Sequence, residues 1–566
     1  MPWVNSFVTM SSPVLSPPAD AEEPAAPAQG ARSRALAIVA ACTIAVHAVL
    51  AWLVRAPTIA TGNDDAVYLL LARALREGHY RELFYVGTPI HSQYPPGYPS
   101  LLALLGVPLD GDIALVIAVN IVFSCAALGL LYDVVRRWSA PLATAAVAVL
   151  AVNPSLVLSA SRVQSEPMFM AALMLALWAL RPSAGERHRW VAIAAVVVAA
   201  LTRSAGLAVV AAVFVHFVLD RAWRHAAALA VISVLAIAPW LVWTAVAPQQ
   251  VAGRSYVADV LLTVPPRDSA GVPILSPRAA DADERSPLEG LARTLQVRLS
   301  FNAKHYVTRA LPARLAVPTV PNTPVDNAAW LAVMLIAAGV GVAAAWSRWR
   351  AAVLALLVYA LLLVLWPYAV SRFLIPMFPA FVALLLLGAW RIGVRVLPRA
   401  ALVPALGVAA ILLVGGTRAT ASVLGAHDAC APAERDEGEL CADAASRYAA
   451  AAHQVDAIVA GDAPVFTTKE GTFYYLTGRR VVSVYPAVGL PSDSLAGYLR
   501  GRGVPLIFLP HLKNDEEELG EPLAEICASL TDAGSTGDDM LLLHVRPPSV
   551  GEQNACAAVA RWQATW

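Results

Sequence analysis

Long apolar stretches recur along this chain, separated by short breaks that carry arginine. Of the 566 residues, 58% are hydrophobic and only 14% are charged, whereas soluble domains average about 25% charged residues. A helix needs about 20 mostly apolar residues to cross the hydrocarbon core of a bilayer. The pattern therefore predicts a polytopic membrane protein that is mainly α-helical.

The apolar runs predict about eleven membrane spans, with ends placed to within about two to four residues. Several are shorter than 20 residues, as expected for tilted helices or for boundaries drawn tightly. The spans lie at residues 35–54, 112–132, 141–159, 166–180, 190–203, 205–220, 226–246, 328–345, 351–369, 373–390 and 401–418.

Arginines fall in alternate loops of this layout, and cytoplasmic loops are the ones enriched in Lys and Arg. The set comprises Arg32, Arg34, Arg136, Arg137, Arg181, Arg187, Arg189, Arg221, Arg224, Arg348, Arg350, Arg391, Arg395 and Arg399. The rule predicts a cytoplasmic N-terminus. It also predicts that residues 55–111, 247–327 and 421–566 lie outside the cytoplasm.

Both ends of the chain differ from its apolar centre. Residues 1–34 are rich in Pro and Ala and predict a disordered tail, and no cleavable signal peptide is expected because the first apolar run starts only at Ala35. Residues 421–566 contain the β-like runs "APVFTT", "RRVVSVYP", "VPLIFLP" and "MLLLHVRP" between polar helical stretches. They predict a small extracytoplasmic α/β domain.

Four of the six cysteines, Cys430, Cys441, Cys527 and Cys556, lie in this C-terminal part. Disulfides persist in oxidising compartments, so two are expected here, and neighbours along the chain favour Cys430–Cys441 and Cys527–Cys556. Four cysteines allow three pairings, and reduced thiols are the alternative.

Polar residues gather at the predicted outer ends of the spans rather than at mid-membrane, where transporters usually place charges. They are Asp64, Asp65, Tyr68, His91, Gln93, Tyr94, Arg162, Glu166, Arg203 and Arg372. Simpler explanations exist for each: arginines snorkel to the interface, carboxylates stabilise helix N-termini, and tyrosines line the interface. Their convergence on one side favours a functional site for a substrate that is partly lipid-soluble.

The segment "HSQYPPGYPSLLALLGVP" predicts a short helix beside Asp64 and Asp65. Two prolines, Pro95 and Pro96, enforce an extended entry. The apolar helix that follows has about ten residues, too few to span, so it is expected in the interface.

Four motifs stand out in order along the chain: "DDAVY", "YPPGYPSLLAL", "SRVQSEPMFMAALMLALWAL" with "LTRSAGL", and "SRFLIPMFPAFVALLL". Together they resemble the GT-C superfamily of membrane glycosyltransferases, in particular the family of protein O-mannosyltransferases and the lipid A aminoarabinose transferase. The resemblance covers about residues 35–420. It implies a GT-C fold, and the two flanking regions complete the division of the chain into 1–34, 35–420 and 421–566.

The resemblance also implies an activity: transfer of a hexosyl or pentosyl group from a polyprenyl-phosphate donor to a hydroxyl of a lipid, glycan or protein. A single-step inverting reaction is expected on the outer side of a bacterial-type plasma membrane. It implies Asp64 as general base and Asp65 as an orienting group. Arg203 and Arg372 would bind phosphate, with His91 and Lys304 as weaker candidates, and Arg162 and Glu166 would order the first outer loop or bind sugar.

Two departures from the family limit this transfer of roles. Asp65 stands where relatives tend to have Glu, and Tyr94 stands where the aminoarabinose transferase has Lys before the proline pair. No cofactor is required by the pattern, although adjacent carboxylates leave a divalent metal open.

Other classes of protein fit the sequence less well. A transporter or lipid flippase predicts internal repeats and mid-membrane charges, and a membrane scaffold would not need the acidic pair together with the outer arginines. The net charge of +1 argues against a nucleic-acid partner.

Overall fold

Every apolar run that predicts a span forms helix in the computed structural model. The structure describes residues 26–55, 59, 63–106, 113–182, 184–246, 287–317, 324–367, 369–425, 442–484, 492–510, 513–535 and 540–564. In chain order, the helices that contain the apolar runs are α1 (Ala26–Leu53), α4 (Ala114–Val135), α5 (Ala140–Ala151), α6 (Pro154–Ala160), α7 (Glu166–Ala179), α8 (Glu186–Thr202), α9 (Gly206–Leu219), α10 (Trp223–Val246), α13 (Pro324–Ala345), α14 (Arg350–Leu365), α15 (Phe378–Val396) and α16 (Val403–Gly425).

The remaining helices lie in the loops and in the C-terminal part. They are α2 (Asp64–Arg76), α3 (Gly97–Leu104), α11 (Pro287–His305), α12 (Leu311–Arg314), α17 (Ala442–Ile458), α18 (Glu470–Thr477), α19 (Ser492–Gly501), α20 (Lys513–Ile526) and α21 (Cys556–Ala564). A 3₁₀ segment, Ser371–Met377, leads into α15. Helix α3 is the short helix that the proline pair predicts.

Five described helical segments are long and apolar enough to cross a bilayer: Ala31–Leu53, Ala114–Val135, Trp223–Thr244, Ser371–Val396 and Val403–Gly425. The chain is therefore an integral membrane protein. The other expected spans have shorter apolar segments or a broken helix, so the number of eleven spans remains a prediction.

The expected span at 141–159 is two helices rather than one, α5 and α6, which meet at an angle of 65°. Pro154 begins α6, and proline cannot continue a preceding helix. Asn153 caps α6 by accepting a hydrogen bond from the Leu156 amide at 3.2 Å. The break frees the Ala151 carbonyl, which accepts a bond from Nδ1 of the buried His47 at 2.9 Å.

One further expectation needs correction. The helix α1 begins at Ala26, so residues 26–34 are helical rather than disordered, as their Ala and Arg content favours; residues 1–25 lie outside the described residues. The expected outer loop 247–327 contains α11, whose Asn302 donates to the carbonyls of Val364 (3.0 Å) and Trp366 (2.7 Å). That contact satisfies carbonyls left open at the end of α14.

The C-terminal part contains a five-stranded sheet of β1 (Val465–Phe466), β2 (Val481–Val482), β3 (Leu506–Pro510), β4 (Thr531–Asp532) and β5 (Met540–His544). The strand order is β2-β1-β3-β5-β4. Strand β1 pairs in parallel with β2 and β3, whereas β5 is antiparallel to β3 and β4. Each of the four predicted runs contains one strand, and the two-residue β4 was not predicted.

Cys527 and Cys556 form a disulfide, which joins the end of α20 to the start of α21 as the sequence predicts. Cys430 and Cys441 lie outside the described residues. In the described spans, Cys42 and Cys125 are free thiols.

Helices α13 and α15 approach each other closely at two glycines. A Cβ on Gly341 would lie 1.8 Å from the Leu384 carbonyl oxygen, and one on Gly388 would lie 1.7 Å from the Ala337 carbonyl oxygen. Small residues at such crossings let helix backbones touch in membranes. This contact fixes α15 and the 3₁₀ segment that precedes it.

We predict that Gly341→Ala lowers thermal stability, because its methyl group would push α13 and α15 apart at a cost of about 1–3 kcal/mol. Gly339→Ala, two residues away on α13, is the control, since its Cβ meets no atom within 4 Å. Thermal unfolding of the detergent-purified variants measures the difference. Equal unfolding temperatures would show that the close approach does not matter for stability.

Candidate active site

Asp64 is the first residue of α2, and its carboxylate joins two other parts of the chain. Its Oδ1 accepts a hydrogen bond from the Tyr94 hydroxyl at 2.6 Å. Its Oδ2 accepts a hydrogen bond from Nη2 of Arg372, which lies in the 3₁₀ segment before α15. Because 23% of the Asp64 side chain and 20% of the Arg372 side chain are exposed, the pair remains open to a ligand.

The pKa of the Asp64 carboxyl is held below its ordinary value of 3.8. Burial acts in the opposite direction, but the Arg372 guanidinium, the Tyr94 hydroxyl and the more distant Arg203 together outweigh it. Asp64 is therefore ionised at neutral pH. The pKa of Tyr94 is raised well above 10 by burial and by the Asp64 charge, so its hydroxyl keeps its proton and continues to donate.

A second ion pair lies between α7 and α8. Glu166, at the start of α7, is 2% exposed, and its Oε1 lies 2.8 Å from Nη1 of Arg203, directly after α8. The same nitrogen donates to the Ser165 hydroxyl at 2.8 Å, and that hydroxyl lies 2.9 Å from the Tyr68 hydroxyl on α2. Glu166 thus combines a favourable position at a helix N-terminus with a buried partner of opposite charge.

The two ion pairs are neighbours. The Phe373 ring lies next to both arginines, with its centroid 5.5 Å from Cζ of Arg203 and 6.0 Å from Cζ of Arg372. Arg203 is also close enough to lower the pKa of Asp64. The structure therefore brings Asp64, Arg372, Arg203 and Glu166 together, two carboxylates and two guanidiniums at one end of the helix bundle.

Three tyrosine rings form one wall beside Asp64. The Tyr68 centroid lies 4.8 Å from that of Tyr94 and 5.0 Å from that of Tyr98, which meets it edge-on. Both Tyr68 and Tyr98 are buried. The neighbouring Tyr68 ring thus helps to hold the Tyr94 ring beside Asp64.

The loop between α6 and α7 is held by Asn120 of α4, which is fully buried. Its Nδ2 donates to the carbonyls of Arg162 (2.7 Å) and Gln164 (3.1 Å), and its Oδ1 accepts from the Tyr98 hydroxyl at 3.3 Å. The side chain of Arg162 is itself 2% exposed. Arg162 thus helps to hold the site together, because its backbone carbonyl accepts a hydrogen bond from Asn120.

The side chain of His91 is buried and supports Tyr94, unlike the phosphate-binding role suggested for it. It is 1% exposed, its Nδ1 lies 2.8 Å from Oε1 of Glu82, and its Nε2 accepts the Tyr94 amide at 2.7 Å. With Nε2 an acceptor, Nδ1 carries the proton and donates to Glu82. Both ring nitrogens are used, and the imidazole fixes the backbone of Tyr94.

Three predicted site residues remain: Asp65, Gln93 and Lys304. Asp65 is 4% exposed, and its Oδ1 accepts the Ala66 amide at 3.0 Å. Gln93 and Lys304 are exposed. The phosphate role suggested for Lys304 stays a prediction.

A metal site was left open by the adjacent carboxylates. Within the described ranges, no three His, Cys, Asp or Glu side chains gather in a way that could hold a metal ion. The positive charge that faces Asp64 is the guanidinium of Arg372.

Sequence reasoning missed Ser165, Asn120 and Glu82, which join the predicted residues to one another. Ser165 directly precedes Glu166, and a polar Asn120 inside an apolar run is itself unusual. Those two signals were available. The contact between Glu82 and His91 depends on a turn of the chain that no local sequence pattern specifies.

No protein-family model matches the chain, and no curated protein matches it. Among solved structures, ArnT from Cupriavidus metallidurans bound to undecaprenyl phosphate is similar over 90% of this chain and 99% of that one, with 14% identity and a TM-score of 0.46. The oligosaccharyltransferase AglB from Archaeoglobus fulgidus, in complex with an inhibitory peptide and a dolichol-phosphate, is similar over 87% of this chain and 72% of that one, with 11% identity and a TM-score of 0.48.

The mycobacterial arabinofuranosyltransferase AftD is similar over 91% of this chain, which spans 40% of AftD, with 16% identity and a TM-score of 0.40. With such low identities and TM-scores below 0.5, these similarities carry no inference about substrates or catalytic residues.

We predict that Glu166→Gln destabilises the protein by about 3–5 kcal/mol, because it leaves the Arg203 charge without its buried partner. The matched control is Glu186→Gln. Glu186 pairs with Arg224 at 4.0 Å, but both side chains are largely exposed, and such pairs contribute about 0–1 kcal/mol. Thermal unfolding of both variants in the same detergent decides the matter; an equal, small effect would mean that the Glu166–Arg203 pair does not hold the two helix ends together.

Proposed function

We propose that this protein is a membrane glycosyltransferase that moves a sugar from a polyprenyl-phosphate donor to an acceptor hydroxyl on the extracytoplasmic side. One observation carries the proposal: Asp64 is paired with Arg372 beside the Glu166–Arg203 pair, where α2, α7, α8 and the 3₁₀ segment before α15 meet. The acceptor is a lipid, a glycan or a protein, and the sugar is a hexose or a pentose.

The two arginines suit a lipid phosphate. A guanidinium matches the geometry of phosphate oxygens and is always charged. Arg372 is the more accessible, because its carboxylate partner is partly exposed whereas Glu166 is buried. We assign Arg372 as the first contact of the donor phosphate and Arg203 as the second source of positive charge.

The reaction is a single displacement at the anomeric carbon. The acceptor oxygen bonds to that carbon while the bond from the carbon to the phosphate oxygen breaks, which inverts the configuration. The acceptor proton goes to the Asp64 carboxylate, which acts as general base. The electron pair of the broken bond stays on the polyprenyl phosphate, whose increased negative charge Arg372 and Arg203 stabilise.

The Asp64–Arg372 ion pair explains how Asp64 becomes an effective base only when donor is bound. A carboxylate held by a guanidinium has a low pKa and is a weak base, whereas catalytic bases work best with a pKa near the operating pH. A phosphate that draws Arg372 away from Asp64 removes the largest factor that keeps the pKa low. Donor binding would then increase the basicity of Asp64 at the moment when an acceptor arrives.

The orientation of the site follows from the arginine-rich alternate loops, which support a cytoplasmic N-terminus. With that orientation the Asp64 end of the bundle lies on the outer side of a bacterial-type plasma membrane. A lipid-linked donor would keep its prenyl chain in the bilayer and present its sugar there.

We predict that Asp64→Asn lowers transfer at least 100-fold, because general-base catalysis contributes about 10²–10⁴-fold. The assay incubates purified protein with a panel of polyprenyl-phosphate sugars and follows donor-dependent release of free polyprenyl phosphate. Glu77→Gln, at the exposed far end of the same helix, is the control and should keep wild-type activity. Full transfer by the Asn variant would remove Asp64 from the reaction.

A pH profile tests the link between Tyr94 and the base. The Tyr94 hydroxyl stabilises the ionised form of Asp64, so Tyr94→Phe should raise the pKa of that carboxyl. In kcat/KM against pH, the wild-type acid limb due to Asp64 lies below 3.8, and in the variant it moves to higher pH. An acid limb at the same pH in both proteins would contradict the assignment.

A further inference from the structure

Asn63, the residue before Asp64, is held by the C-terminal part of the chain. Its Oδ1 accepts hydrogen bonds from the backbone amides of Gly471 (2.7 Å) and Thr472 (3.2 Å), in the first turn of α18. Its Nδ2 donates to Oε2 of Glu470 at 3.3 Å. More than 400 positions separate these residues along the chain, so the contact is wholly tertiary.

The direction of the Asn63 side chain is informative. Asn63 occupies the N-cap position of α2, where such a side chain ordinarily accepts an amide of its own helix, but it makes no cap bond there. The first amides of α18 have no partner within their helix, and Lys469 at its N-cap supplies none. Asn63 therefore caps α18 instead of α2.

Glu470 closes the contact from the other side. It is 1% exposed, and its Oε1 accepts the Tyr85 hydroxyl at 2.9 Å. Around Tyr85, the chain pairs with the edge of the sheet: the Val481 amide donates to the Phe84 carbonyl at 2.8 Å, and the Val86 amide donates to the Val481 carbonyl at 3.2 Å. The loop after α2 and the C-terminal sheet are thus one hydrogen-bonded unit.

The contact also requires a glycine. A Cβ on Gly471 would lie 2.8 Å from Oδ1 of Asn63 and 2.8 Å from Cγ2 of Val67, a buried residue one turn into α2. Only a residue without a side chain lets α18 approach the start of α2 this closely.

We propose that Glu470, Gly471 and Thr472 form a clamp on Asn63, and that Asn63 is a positioning residue for Asp64; the role of Asp64 rests on the proposed function. The Asn63 carbonyl accepts the first backbone hydrogen bond of α2, from Val67 at 3.0 Å. Any shift of Asn63 therefore moves Asp64 relative to Arg372 and Tyr94, which stand on other elements. The C-terminal part would in this way set the catalytic geometry without touching the substrate.

A charge swap tests the clamp in the full-length protein. Asn63→Asp places a carboxylate against the carboxylate of Glu470, and the two repel each other. It should lower kcat about tenfold or more, because small displacements of catalytic groups are costly. The KM for donor should change less than threefold. Glu470→Gln added to Asn63→Asp restores the contact, since the Gln amide donates to the new carboxylate and its Oε1 still accepts from Tyr85. The double variant should recover to within threefold of wild type.

Hydrogen exchange supplies a readout that does not depend on the reaction. Amides of residues 64–70 should exchange faster in Asn63→Asp and return to wild-type rates in the double variant. Gly471→Ala should also speed their exchange, whereas Gly497→Ala, whose Cβ meets no atom within 4 Å on α19, should not.

The outcomes separate the two claims. Unchanged exchange in Asn63→Asp and in Gly471→Ala would overturn the clamp. If exchange responds as expected but kcat falls no more than in Gly497→Ala, the clamp is only structural and the positioning role is overturned. If Asp64→Asn is fully active, the proposed function fails, and the exchange data still decide whether the clamp holds α2.

Discussion

The arrangement of the candidate site depends on charge compensation at the point where the helices end. Each carboxylate there has a guanidinium opposite it, Asp64 with Arg372 and Glu166 with Arg203. Removing either partner of such a pair leaves an uncompensated charge in a poorly solvated place, which costs far more than the pair contributes. The two pairs therefore tie together α2, α7, α8 and the segment before α15.

The surrounding residues leave the Asp64–Arg372 pair more exposed than the Glu166–Arg203 pair. Glu166 and Ser165 are enclosed, and Asn120 holds the loop that carries them. Asp64 is reached by Tyr94, which His91 fixes through its amide. Such a site combines a rigid frame with one ionic contact that an incoming anion can compete for, which is the property a donor-dependent base needs.

Much of the fold could be predicted because lipid imposes a simple rule. An apolar run whose length approaches the width of a bilayer forms a helix. Pro95 and Pro96 predict the short helix α3. The grouping of Asp64, Arg203, Glu166 and Arg372 at one end could also be predicted, since alternation of arginine-rich loops fixes which helix ends share a side. The pairing within that group could not be predicted, because it depends on how the helices cross, which hydropathy does not encode.

The remaining surprises come from contacts between distant parts of the chain. The bend at Pro154 frees the Ala151 carbonyl, which accepts a hydrogen bond from His47. Helix α11 has no long apolar run, and its Asn302 donates to carbonyls at the end of α14. The clamp on Asn63 joins residues more than 400 positions apart. In each case a local pattern shows a polar residue but cannot show which backbone group it serves.

The most direct test of the account is an experimental structure of the protein with a polyprenyl phosphate bound. The account predicts the phosphate within hydrogen-bonding distance of the Arg372 guanidinium, with Asp64 released from that arginine and open to an acceptor. A phosphate bound elsewhere, with the Asp64–Arg372 pair intact, would contradict it.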